Sequence, residues 1–137
     1  MEFGFDFETR DFETELEDFT VKKTKKFTRI FEVGPGGSVS YCGIRGDKVY
    51  FGACEGFLYC LETETGEEKW RFKTGGIIIE QPKFYEDKVM VGSFDGYLYC
   101  VNSDTGKELW RFKTSDKVYS SGNVSEGVIY FGSVDNF

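Results

Sequence analysis

Carboxylates, tyrosines, lysines and four cysteines are the side chains in this sequence with reactive chemistry, and histidine is absent from all 137 residues. Losing His removes the commonest general base, metal ligand and pH switch together, so any enzyme here would have to work with acids and thiols alone. Cys42, Cys54, Cys60 and Cys100 show no C-x-x-C pairing, which argues against a zinc site. Two-residue turns at Gly46-Asp47 and Glu55-Gly56 would set Cys42 and Cys60 opposite Phe51 from its two sides. Two strand spacings of about 4.8 Å then separate them, beyond disulfide reach. The four cysteines are therefore read as small buried hydrophobes.

The acids Asp47, Asp87, Asp95 and Asp135 fall at expected hairpin turns. Turn geometry alone favours Asp there, and that role is preferred to catalysis or calcium binding. Lys22, Lys23, Lys25 and Lys26 form the one basic cluster, interleaved with Thr and Phe. It could meet an anionic partner, but lysines guarding a strand edge are the simpler reading. Trp70 and Trp110 could stack on a ring-shaped ligand, yet their place in a repeated motif favours packing. No catalytic, cofactor-binding or metal residue is assigned.

The elements that position these side chains come from a repeat. Shifting the chain by 40 residues lays Asp47–Thr74 on Asp87–Thr114 without a gap, with 16 of 28 positions identical. A third copy starts at Val118, runs through Gly127-Val-Ile-Tyr-Phe-Gly132 and breaks off at Phe137. Within a copy, acidic-Gly turns separate aromatic and β-branched runs into four short strands. These are Val39–Arg45, Lys48–Cys54, Phe57–Glu62 and Glu68–Thr74, with turns at Glu86-Asp87 and Asp95-Gly96 in the next copy. The middle strands are apolar on both faces, as suits sheets stacked between neighbours. The expected class is all-β: propeller blades of four antiparallel strands, about three blade equivalents per chain. Blades are expected at 38–75 and 76–115, with a partial one at 116–137.

The motif Cys60-x-Glu62-x-x-Thr65-Gly66-x-x-x-Trp70 recurs as Cys100-x-Asn102-x-x-Thr105-Gly106-x-x-x-Trp110. It resembles the tryptophan-docking motif of pyrroloquinoline-quinone-type propeller repeats, and the resemblance covers residues 28–137. It implies that each indole packs on the Thr-Gly turn of a neighbouring blade. Cys60 and Cys100 stand where that family has Ala, and Glu62 and Asn102 where it has Asp, which weakens the turn hydrogen bonds that the acid makes. Related repeats occur in a bacterial outer-membrane assembly lipoprotein and in quinoprotein dehydrogenases. The dehydrogenases imply a Trp floor under the quinone, a vicinal disulfide, and Asn, Glu and Asp around calcium, and this sequence holds no vicinal Cys pair.

The same register carried backwards sets Phe19 on Tyr59, Val21 on Leu61 and Ile30 on Trp70, so residues 16–34 read as a worn third and fourth strand. Phe3, Phe5 and Phe7 alternate with polar and small residues as one more strand. Residues 1–27 form an acidic N-terminal segment, and its eight carboxylates from Glu2 to Asp18 against Arg10 account for the net charge of −7, everything after Asp18 being near neutral. That balance argues against nucleic-acid binding, which needs a basic face. No apolar run is long enough to cross a bilayer as a helix, and the first residues lack the pattern of a signal peptide. The expectation is a cytoplasmic chain, or an extracytoplasmic one if it belongs to a longer precursor. Three blade equivalents fall below the roughly four to eight that close rings. Either two copies join head to tail or the sequence is part of a longer propeller. Functionally the expectation is a non-catalytic module that binds or scaffolds a protein of unknown identity. The alternatives are a piece of a quinoprotein dehydrogenase and an extracellular sensor or adhesion array.

Overall fold

The computed structural model describes residues 38–134 and contains ten strands, with no helix among them. Blade 1 comprises β1 Gly43–Arg45, β2 Lys48–Gly52, β3 Phe57–Glu62 and β4 Glu68–Lys73. Blade 2 repeats it as β5 Lys83–Tyr85, β6 Lys88–Gly92, β7 Tyr97–Asn102 and β8 Glu108–Lys113. A third unit opens with β9 Asn123–Ser125 and β10 Val128–Tyr130. In both complete blades the strands lie in chain order and every neighbouring pair is antiparallel. The all-β, four-stranded blade expected from the repeat is thus the observed unit. The acidic segment, the Phe3-Phe5-Phe7 strand, the lysine cluster, the worn strands at 16–34 and Asp135 lie outside the described residues.

The first turn of each blade is the tight hairpin expected: Arg45 pairs with Lys48 and Tyr85 with Lys88. The second differs from expectation. Ala53 N–H donates to Phe57 O at 2.9 Å and Gly56 N–H to Ala53 O at 2.9 Å, enclosing three loop residues, Cys54-Glu55-Gly56. The third of them, Gly56, takes a positive φ of 86°. This is the three-residue hairpin in which Gly supplies the left-handed residue after the turn, and Phe94-Asp95-Gly96 repeats it. The extra loop residue slips the register by one, so Cys60 pairs with Tyr50 and not with Phe51. A one-residue slip exchanges faces. The first strand is also shorter than expected: Val39 makes only an isolated bridge to Ala53, and β1 proper begins at Gly43.

The cysteines divide accordingly. Cys60 and Cys100 lie mid-strand and are buried, whereas Cys42 and Cys54 are exposed, and all four are free thiols. The reading of all four as buried hydrophobes is corrected for those two. Cys54 sits in the three-residue loop and Cys42 precedes the short β1, so neither faces a neighbouring sheet.

The core lies between blades more than within them. Tyr50, Leu58, Cys60 and Trp70 of blade 1 pack with Ile78, Val89, Val91, Tyr99 and Val101 of blade 2. Tyr50 meets Phe84 edge-on at 5.1 Å, and Phe72 meets Tyr99 likewise at 5.4 Å. A glycine inside a strand lets the next blade come this close. A Cβ on Gly52 would stand 2.1 Å from Ile78 Cγ2, and one on Gly92 would stand 2.7 Å from Val118 Cγ1. Ile78 and Val118 are both fully buried and occupy equivalent repeat positions. Replacing Gly52 by Val should therefore destabilise the fold by about 1–3 kcal/mol or more through overpacking. Denaturant midpoints check this, and an unchanged midpoint would contradict the interlock.

Candidate functional site

The repeated motif builds one well-defined site, between β4 of blade 1 and the β7–β8 turn of blade 2. Alternation along β4 turns Trp70 and Phe72 toward blade 2, while Lys69, Arg71 and Lys73 are exposed. The Trp70 indole lies on the backbone of Gly106, where an added Cβ would be 2.5 Å from its Cδ2. Gly106 also has φ +68°, so a side chain there would be strained as well as crowded. Trp70 Nε1–H donates to Ser103 O at 3.1 Å, and Tyr50 O–H donates to the same oxygen at 3.2 Å. One carbonyl thus satisfies two buried donors, which would be costly to leave unpaired. Lys48 Nζ closes the rim on Asp104 Oδ1 at 2.5 Å, which raises the lysine above its usual range.

The turn that receives the indole is internally braced. Asn102 Oδ1 accepts from Asp104 N–H and Thr105 N–H at 3.0 Å each, and from Thr105 Oγ1–H at 3.1 Å. Asn at this position therefore makes three turn hydrogen bonds, contrary to the weakening expected of it. Glu62 is different: its longer side chain accepts from Thr65 Oγ1–H at 2.6 Å and pairs with Lys69 at 3.5 Å. Thr65 and Thr105 each go on to accept from the backbone N–H two residues later, at 3.1 and 3.3 Å. Cys60 pairs with Trp70 and Cys100 with Trp110 across the last two strands of their blades. Each small thiol sits directly beside an indole. Gly66, with φ +71°, holds the place in blade 1 that Gly106 holds in blade 2.

Trp110 is not the buried wedge expected from the motif. Trp70 is 9% exposed, but Trp110 is only half-buried, and Phe112 beside it is 57% exposed. The described part of the third unit has two strands, and among the described residues no turn equivalent to residues 102–106 stands against Trp110.

Several contributors carry no motif. Asp95 was expected to serve its own turn, and its Oδ1 does accept from Tyr97 N–H at 3.1 Å. Its Oδ2 also accepts from Gly75 N–H at 2.6 Å and Tyr99 O–H at 2.7 Å, joining blade 2 to the connector leaving blade 1. Burial, with Asp95 as the second cause, raises the Tyr99 phenol above its ordinary range. Thr74 Oγ1–H donates to Gly56 O at 2.9 Å, and Thr114 repeats the bond to Gly96 O at the same distance. Glycines repeated mid-strand at 52 and 92 were the available signal for the Ile78 and Val118 contacts. Nothing local marks Asp95, because its partners are 20 and 4 residues away.

The two ends of the blades differ in chemistry. The end carrying the first and third turns is ionic: Lys69 meets Glu62 and Glu67, and Lys88 meets Glu86 and Asp87. The opposite end, where blades connect and the three-residue loops lie, carries apolar groups. Val39, Ile79 and Tyr119 sit 40 residues apart and are 54, 39 and 44% exposed. Beside them lie Cys54, Phe94 and Val134, also 40 apart, whose N–H groups bond Ser38 O, Ile77 O and Lys117 O. Tyr119 packs across the blade boundary against Phe94, the rings tilted by 56° with centroids at 4.6 Å, and Lys117 stands over Phe94 at 5.3 Å. No group of three metal-ligating side chains occurs among the described residues. No helix among them is long and apolar enough to cross a membrane.

Two outcomes test this geometry. Trp70→Ala should cost about 3–5 kcal/mol, in the range for a buried aromatic, and Trp110→Ala distinctly less; equal denaturant midpoints for the two variants would contradict the asymmetry. Burial pushes both the Cys60 and the Cys100 thiol up to about 11. A raised thiol pKa favours the protonated folded state, so this stability is complete below about pH 9 and is lost as pH rises through about 11. A thiol reagent at neutral pH should label Cys42 and Cys54 promptly and Cys60 and Cys100 only on unfolding.

Comparison with known proteins accords with this architecture. No curated protein matches the sequence. Among solved structures, the computationally designed Ika4 protein is 18% identical over 74% of this chain and 64% of its own, with a TM-score of 0.66. A quinohemoprotein alcohol dehydrogenase from Pseudomonas putida HK5 is 28% identical over 53% of this chain and 12% of its own, with a TM-score of 0.50. BamB from Moraxella catarrhalis is 23% identical over 50% of this chain and 21% of its own, with a TM-score of 0.47. The chain thus spans less than two thirds of each of these proteins. Residues 21–134 match the family model described as outer membrane protein assembly factor BamB, and with its repeated indole-on-glycine blades this chain belongs to that family of pyrroloquinoline-quinone-type β-propeller repeats.

Proposed function

We propose that this chain is a non-catalytic propeller segment that binds a protein through the apolar end of its blades. The observation that carries this reading is the recurrence of exposed apolar side chains at 39, 79 and 119, equivalent positions of three successive units at the connector end. Exposed apolar side chains gathered on one end of a fold mark an interaction site more often than singly scattered ones do. The flanking polar groups support the same reading, because Asp95, Tyr99, Thr74 and Thr114 are engaged in bonds within blades and, at Asp95, to the connector between them. The family description names an assembly factor, which accords with a surface that contacts other proteins.

The competing reading is a dehydrogenase segment, and it makes a different demand. It requires quinone to bind in a calcium-dependent way. Titration with pyrroloquinoline quinone and calcium, followed by tryptophan fluorescence, should leave the emission unchanged. A partner recovered by cross-linking to the wild-type chain should be lost with a Val39→Ser, Ile79→Ser, Tyr119→Ser variant of unchanged thermal midpoint. Calcium-dependent quinone binding, or undiminished recovery of the same partner by the variant, would overturn the proposal.

A further inference from the structure

The two ends of the blades use their charges differently. At the turn end Lys48, Lys69 and Lys88 each reach a carboxylate of the same chain. At the connector end Lys73, Lys113 and Lys117 reach none among the described residues. The Lys73 amine donates to Glu55 O and lies 4.5 Å from the centre of the Phe57 ring; that of Lys113 lies 4.9 Å from the Tyr97 ring, and that of Lys117 stands over Phe94. The neighbouring carboxylates meet no cation either. Glu80 Oε1 accepts from Gln81 N–H at 3.3 Å, Asp116 Oδ1 accepts from Lys117 N–H at 2.7 Å, and Glu55 is exposed. Asp95, the fourth acid here, has both oxygens bonded to N–H and O–H groups. Around the exposed row of Val39, Ile79 and Tyr119 there are thus cations and carboxylates that do not pair with one another.

We infer that this end docks on the same end of a second copy of the chain, related to it by a two-fold axis through Ile79. The inference rests on the protein-binding reading of that end and names the partner. In a two-fold contact, a residue that meets another on the second copy is met in turn by its own equivalent. A surface holding both signs unpaired is therefore complementary to itself. A partner of one sign would instead set like charges against half of these groups, which is costly across an interface.

The apolar row makes the same demand. Its side chains grow from Val39 through Ile79 to Tyr119 across successive units. An axis at the middle residue lays the small end of one row on the large end of the other, so that Val39 meets Tyr119 of the second copy and Ile79 meets its own equivalent. The ions follow the same exchange. Glu55 and Lys73, on the blade 1 side, face Lys117 and Asp116 of the second copy, on the side of the third unit. Glu80 and Lys113, nearer the axis, face each other twice.

The test uses the full chain and light scattering over a range of concentrations, in which a monomer should pass to a dimer. One variant carries Lys73→Glu, Lys113→Glu and Lys117→Glu; another carries Glu55→Lys, Glu80→Lys and Asp116→Lys. Each alone should need a concentration higher by roughly tenfold or more to dimerise, because like charges then meet across the join. An equal mixture of the two should return to the wild-type range. A second measurement leaves the charges alone and holds even where a charge variant fails to fold. With Cys42 and Cys54 changed to Ser, Ile79→Cys should oxidise to a linked dimer at several-fold higher yield than Val39→Cys, since only a residue on the axis meets its own copy. A wild-type chain that stays monomeric, a mixture that does not recover, or equal yields at 39 and 79 would each overturn the inference. The broader reading fails or stands separately. A monomeric wild type that loses a different cross-linked protein on the Val39→Ser, Ile79→Ser, Tyr119→Ser change keeps this end as a binding surface and gives it another occupant.

Discussion

Everything in this structure depends on bare backbone in one blade receiving a side chain from the next. Trp70 of blade 1 lies on Gly106 of blade 2, and Ile78 of blade 2 lies on Gly52 of blade 1. The two contacts run in opposite directions across one boundary, so neither blade can slide without driving a side chain into main chain. Large apolar groups then fill what the glycines leave open. Packed interiors have little free volume, so the spacing of sheets is set by these contacts more than by the flat faces themselves. Polar bonds are arranged around this apolar join and not in place of it: Ser103 O takes both indole and phenol donors, and Lys48–Asp104 closes the exposed rim.

That arrangement explains why most reactive side chains here are committed. A phenol bonded to a carboxylate, a threonine hydroxyl bonded to a carbonyl and a thiol beside an indole all serve the boundary. The residues left over segregate by end. Short hairpins with acidic residues at positive or tight φ gather charge at one end. Connectors and glycine-ended loops at the other admit Val, Ile, Phe, Tyr and Cys without exposing unpaired main chain, because the loop N–H groups are already bonded to the connectors.

Much of this was legible in the sequence because the repeat is a local code. The 40-residue shift gave the blades, the acidic-Gly pairs gave the turns, and the Thr-Gly and Trp spacing gave the boundary at which Trp70 packs. What escaped depended on one residue more or less. The Glu55-Gly56 pair reads equally as a two- or three-residue hairpin, and only the tertiary pairing of Ala53 with Phe57 decides it. From that slip follow the partner of Cys60 and the exposure of Cys54. The half-burial of Trp110 is equally invisible, since its sequence context is nearly that of Trp70 and the difference lies in what stands opposite.

The divergent positions of the repeat are informative for the same reason. The copies agree at the first turn and along the docking strand: Asp47-Lys-Val matches Asp87-Lys-Val and Trp70-Arg-Phe-Lys-Thr matches Trp110-Arg-Phe-Lys-Thr. They diverge in the core, where buried Tyr50 answers to Met90 and Ile78 to Val118, and at the connector end, where Cys54, Phe94 and Val134 differ at one position while Val39, Ile79 and Tyr119 differ at another. A position free of packing would ordinarily drift toward polar residues on a solvated loop. These six stay apolar while changing size and shape, as the proposed protein-binding surface would require. The architecture is thus written in the agreement between copies, and the proposed binding surface lies at connector positions where they differ.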